Sequence, residues 1–156
     1  MLGFLKRNIG YIIFIVMGAG LIIGLAYFYG DRAWFGDDII KVTINPGLTV
    51  YAEVVDTPDE RAIGLSEHTS LDENEAMLFI FKESGKHGFW MKDMDFAIDI
   101  IWLNKEKEIV HIKENADPAN FPESYAPDED AQYVLELVSG LAASEGIEEG
   151  QVMEWD

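Results

Sequence analysis

Apolar residues fill positions 9–29 without a single charged side chain, and only beyond residue 38 does the pattern break into short apolar segments divided by polar turns. At ~1.5 Å of rise per residue, about 21 residues cross the ~30 Å hydrocarbon core of a bilayer. The long run therefore predicts one membrane-spanning helix over 9–29. It is preceded by a basic segment, 1–8, and followed by a linker, 30–38.

The second part of the chain has strand-like patterning. Residues 40–44 alternate with period two and 48–55 are rich in Val and Tyr, so both predict strands around an Asn45-Pro46-Gly47 turn. Thr57-Pro58-Asp59-Glu60 is a capping box with proline at the first helical position, opening a short helix that stops at Gly64. Segments 76–81, 88–91, 98–103 and 109–113 predict further strands, with 104–107 as the polar turn of a hairpin. Residues 114–131 contain Pro118, Pro122 and Pro127 and show no period; a loop of that length in a compact domain is often functional or disordered. Segment 132–138 is strand-like, 140–146 reads as a helical turn, and 151–155 is positioned to close the sheet. Together these predict a β-dominated α+β domain over 39–156, a small barrel- or sandwich-like sheet with one or two short helices.

Charge orients the expected anchor. Lys6 and Arg7 precede it, whereas Asp31, Arg32, Asp37 and Asp38 follow, which places the N-terminus in the cytoplasm and the domain outside. Tyr27, Phe28, Tyr29, Trp34 and Phe35 form an aromatic belt at the exit. A cleaved signal has an apolar core of only ~7–15 residues and a small-x-small site; the Ala26-Tyr27-Phe28-Tyr29-Gly30 exit is too bulky to match it. Gly20-x-x-x-Gly24 allows close approach of two such helices.

With Lys6 and Arg7 set aside, nine basic residues face all 29 acidic ones, a net charge near −20 for the remainder. Such a surface repels phosphate backbones, so nucleic acid is excluded as a partner. No Asp-x-Asp-x-Asp-Gly loop supports calcium. The absence of cysteine leaves stability to an ordinary core and excludes thiol chemistry.

Candidate chemistry begins with charges on apolar strands. Asp99 and Glu136 are the polar exceptions in 96–103 and 133–138, and a carboxylate there needs a partner or its pKa rises. Arg61 is the one arginine past residue 38, and a bidentate fork to Asp99 or Glu136 would satisfy the buried charge. The alternative makes Asp99 and Glu136 an acid/base pair, as in a glycosidase. In Phe89-Trp90-Met91-Lys92, alternation puts Trp90 and Lys92 on one face. If Phe89 and Met91 point inward, Trp90 is an exposed aromatic beside a cation, suited to stacking on a sugar or a partner's side chain; a core tryptophan is the commoner outcome. His68, His87 and His111 lack zinc-site spacing, and no nucleophile elbow, phosphate loop or dinucleotide fingerprint occurs, so neither metal nor cofactor is expected.

Pro58-x-x-Arg61-x-x-Gly64-Leu65, Ala76-Met77-Leu78-Phe79-x-Phe81, Phe89-Trp90-Met91-Lys92, Ile98-Asp99-Ile100-Ile101-Trp102 and Tyr133-Val134-Leu135-Glu136 occur in this order. As a set they resemble the domain of unknown function 192 family, over about residues 48–153. The chain departs from the family pattern at Asp93-Met94, Ala97 and Ser66. The resemblance implies a small β-rich domain, often exported or anchored, with Arg61, Trp90, Met91, Lys92, Asp99 and Glu136 in the motif blocks; it implies no established activity. Three function classes follow: a non-catalytic module binding an envelope glycan, another ligand or a protein at the outer membrane surface; an envelope-polymer hydrolase using Asp99 and Glu136; and a scaffold for membrane proteins.

Overall fold

The computed structural model describes residues 38–45 and 47–156. The expected basic segment 1–8, the membrane helix 9–29 and the linker up to residue 37 lie outside the described residues, as does Pro46 of the first turn. Among the described residues no helix is long and apolar enough to cross a membrane.

Strands β1 (Ile39–Asn45), β2 (Leu48–Val55), β3 (Glu75–Gly85), β8 (Ala131–Val138), β5 (Ile98–Leu103) and β6 (Ile109–Ala116) form one sheet in that spatial order. All neighbours are antiparallel except β2 and β3. Strands β4 (Phe89–Trp90) and β7 (Ser124–Tyr125) pair separately. The fold is thus a β-dominated α+β domain with an open, mixed sheet, and the expectation of a barrel is corrected: β1 and β6 are unpaired ends of the order. The C-terminal segment reaches both ends only through isolated bridges, Thr43 with Glu154 and Glu108 with Val152. Met153 N–H donates to Lys107 O at 3.0 Å within the second bridge, and its side chain turns into the core.

A parallel step cannot be made with a tight turn. The chain between β2 and β3 accordingly crosses through helix α1 (Pro58–Ile63) and a 3-10 turn, Gly64–Glu67. The capping box forms as the sequence dictates: Glu60 N donates to Thr57 Oγ1 at 3.3 Å, and Thr57 N donates to Glu60 Oε2 at 3.1 Å. That Thr57 N–H also holds the Glu60 carboxyl below its ordinary pKa. Gly64, at φ +50°, ends the helix in a conformation that side chains resist.

The central strands are buried on both faces, which explains their near-continuous apolar sequences. Ala76, Leu78, Ile101, Leu135 and Leu137 face one core, shared with helix α2 (Leu141–Ser144) and Met153. Met77, Phe79, Ile100, Trp102 and Val134 face the other, shared with Leu65 and Met91.

Candidate functional site

Register divides the two buried carboxyls between the two cores. Glu136 lies opposite Met77 on β3 and Ile100 on β5, whereas Asp99 lies opposite Leu137. Side chains alternate along a strand, so Asp99 and Glu136 point to opposite faces of the sheet. The pairing of Asp99 with Glu136 as acid and base in a shared cleft is therefore corrected.

Asp99 is fully buried and fully bonded. Its Oδ1 accepts from Asn115 N at 2.8 Å, and its Oδ2 accepts from Gly140 N at 2.9 Å and Ala142 N at 3.0 Å. Asn115 sits at positive φ where the β5–β6 register shifts, and Gly140 caps α2, so the carboxylate fastens the end of β6 and the start of α2 to β5. Sealed from solvent with both oxygens bonded, it presents no open face to a ligand.

Glu136 is the converse. It is 6% exposed, its Oε2 has no hydrogen-bond partner among the described residues, and burial pushes its carboxyl up to about 8. It lines a cavity of about 380 Å³ over the β3–β8 face. One wall is the crossover, with Arg61, Ile63 and Leu65; the other is the β4 segment, with His87, Phe89, Trp90 and Lys92.

Arg61 does not fork onto either carboxyl. Its Nη1 donates to the backbone carbonyls of Asp56 and, at 3.0 Å, Ile80. The guanidinium lies 5.0 Å from the Phe81 ring centroid, and the His87 ring stacks on Phe81 at 3.6 Å. Both predicted partners of Arg61 were carboxylates; carbonyls at the end of β2 and in β3 take their place, fixing the crossover to the sheet.

The opposite wall is held by aromatic packing. Phe89 meets Phe79 edge-on at 4.8 Å and Trp102 at 5.9 Å, and Trp102 Nε1 donates to His87 O at 2.9 Å. Met91 is buried, so Trp90 faces outward at 57% exposure with Phe121 edge-on at 6.0 Å. The commoner outcome of a core tryptophan is not realised. Lys92 Nζ sits 3.5 Å from Asp93 Oδ2 at the open mouth.

Four of the five candidates, Arg61, Trp90, Lys92 and Glu136, thus line one cavity, and Asp99 does not. His87, Phe89 and Ile63 join them, and Phe121 packs on Trp90 beside them. The sequence signal for Phe121 was the aperiodic stretch 114–131, whose β7 pairs with β4 and carries that wall. Among the described residues, no group of His, Asp and Glu is arranged to hold a metal ion.

The profile of the domain of unknown function 192 family, described as an uncharacterized ACR, matches residues 40–155. The chain belongs to that family. A UPF0127 protein of Thermococcus gammatolerans is 31% identical over 111 residues, covering 68% of this chain and 67% of the archaeal one. Among solved structures, a Sinorhizobium meliloti protein described as a candidate transcription regulator superposes with a TM-score of 0.69 at 26% identity, over 78% of this chain and 95% of that one. A Novosphingobium aromaticivorans protein of unknown function superposes with a TM-score of 0.67 at 29% identity, over 75% of this chain and 84% of that one. Within the unknown-function 192 motif blocks of this chain, the cavity collects Arg61, Trp90, Lys92 and Glu136, whereas Met91 and Asp99 serve the two cores.

Proposed function

We propose that the domain is a non-catalytic binding module whose site is the cavity between the crossover and β4, displayed outside the cytoplasm on an N-terminal membrane anchor. The observation that carries the binding role is the Glu136 carboxyl, buried at the cavity wall with an oxygen that accepts no hydrogen bond among the described residues. A buried polar atom without a partner costs stability, on the order of 1–3 kcal/mol, and a ligand donor entering the cavity recovers it. The exposed Trp90 ring at the mouth supplies the flat apolar contact that such sites use for orientation. Catalysis is not part of the proposal, because the fully bonded Asp99 on the other face cannot join Glu136.

The anchor rests on the apolar run over 9–29 and the charge asymmetry around it. The description of the Sinorhizobium relative brings no nucleic-acid role here, since an acidic surface of this strength repels phosphates. An envelope glycan stacked on Trp90, a smaller ligand or a protein side chain remain the occupant classes under this reading.

The test is the melting temperature of the protein against a panel of envelope glycans, amino acids and small amines, with Trp90→Ala alongside. A ligand at a hundredfold excess over its dissociation constant adds about 2.7 kcal/mol. The expected result is an upward shift that Trp90→Ala abolishes while its unliganded melting point stays within a few degrees of the wild type. No shift with any member of the panel overturns the reading.

A further inference from the structure

The cavity sets a buried carboxyl in the same space as two cationic side chains, and this restricts what fits. Glu136 sits in the sheet surface, nearly sealed from solvent, while Arg61 and Lys92 line the same space from the two walls. His87 and Asp93 complete the titratable groups facing it. Among the described residues, Arg61 makes its hydrogen bonds through Nη1, so its Nε–H and Nη2–H groups are not engaged by those bonds. Its stacking on Phe81 and its carbonyl bonds hold the guanidinium in place before any ligand arrives.

A simple cation at Glu136 shares the cavity with Arg61 and Lys92, whose like charges disfavour it. A simple anion held by Arg61 and Lys92 leaves Glu136 Oε2 without a donor. A molecule with an ammonium at one end and a carboxylate close by satisfies both. The volume, about 380 Å³, is near the small end of the ~300–1,000 Å³ typical of ligand sites, which suits one small molecule rather than a polymer chain. Ile63 and Trp90, both exposed at the rim, offer apolar surface to a side chain projecting from the mouth.

We propose that the ligand of this cavity is a free amino-acid zwitterion with an apolar side chain: its ammonium donates to the Glu136 carboxylate, its carboxylate accepts from Arg61 and Lys92, and its side chain lies against Trp90. This assignment rests on the binding-module reading and names its ligand class. It carries a proton-linked signature. Burial holds the unliganded Glu136 carboxyl up to about 8, so at pH 7 an ammonium that docks there favours the carboxylate and releases a proton.

The experiment is isothermal titration calorimetry of the full chain with phenylalanine and leucine, each compared with its N-acetyl derivative and its carboxamide, in two pH 7 buffers of different ionisation enthalpy. The expected result is binding of the free amino acids, at least tenfold weaker binding of both derivatives, and a buffer-dependent enthalpy reporting proton release. Glu136→Gln is expected to lose the proton release and at least tenfold in affinity. The derivatives test the same contacts without any variant having to fold. Equal affinity for the N-acetyl form or the carboxamide overturns the zwitterion. If no amino acid binds while a glycan raises the melting point through Trp90, the zwitterion falls and the binding module stands; if nothing binds, both fall.

Discussion

Replacing Glu136 with glutamine keeps the shape of the side chain and removes its charge. In the folded domain burial holds this carboxyl up to about 8, against an ordinary value of 4.5. Between these values the folded state keeps a proton that the unfolded state has released, so this contribution to stability is complete below about pH 4.5 and is lost as pH rises through 8. Urea unfolding at pH 5 and pH 8.5 is therefore expected to show wild-type stability falling with pH, and Glu136→Gln more stable than wild type at pH 8.5, by an amount on the order of several kcal/mol. A wild-type curve with no excess decline over the variant contradicts the burial of an uncompensated carboxyl. Alternation along the apolar strands was enough to mark Asp99 and Glu136 as buried charges. It could not say that they face away from each other, because that depends on how β5 and β8 register, and a shift by one residue would reverse it.

Asp99 ties elements together. Through its three amide bonds it joins β5 to the end of β6 and to the first turn of α2, so Asp99→Ala strands three buried or half-buried N–H groups at once. The expected loss is about 3 kcal/mol or more, seen as a lower urea midpoint, with ligand affinity at the Glu136 cavity unchanged in whatever fraction remains folded. A variant that loses binding while keeping its stability would place Asp99 in the site after all. The elements themselves were legible where local chemistry decides them: the Thr57 capping box, the strands 98–103 and 132–138, and the polar turn at 104–107 lie close to where the pattern puts them. β7 was not legible, because Ser124 and Tyr125 have no strand pattern of their own and become a strand only by pairing with Trp90 and Phe89, over thirty residues earlier in the chain. β3 extends to Gly85, beyond its apolar stretch, because its polar end pairs across a bulge with Ala131.

At the scale of the whole molecule, the acidic surface, the absence of cysteine and the apolar run over 9–29 bear on where the protein sits. A chain without native thiols is ready for cysteine mapping. With Glu129→Cys and Asn8→Cys made singly, a membrane-impermeant maleimide is expected to label the first in intact cells and the second only after permeabilisation; the reverse pattern refutes the proposed orientation. The openness of the sheet was hidden from the sequence, since 151–155 has the composition of a closing strand and only the two isolated bridges show that it does not become one. The parallel step between β2 and β3 has a further consequence. Because those strands run the same way, the chain must travel back across the sheet between residues 56 and 74, and Arg61, Ile63 and one side of the cavity ride on that return journey. Insertions or deletions there fall outside the paired strands and change one wall of the cavity, while Glu136 stays on β8 between β3 and β5. Proteins built on this plan are thereby free to reshape this cavity without renegotiating how they fold.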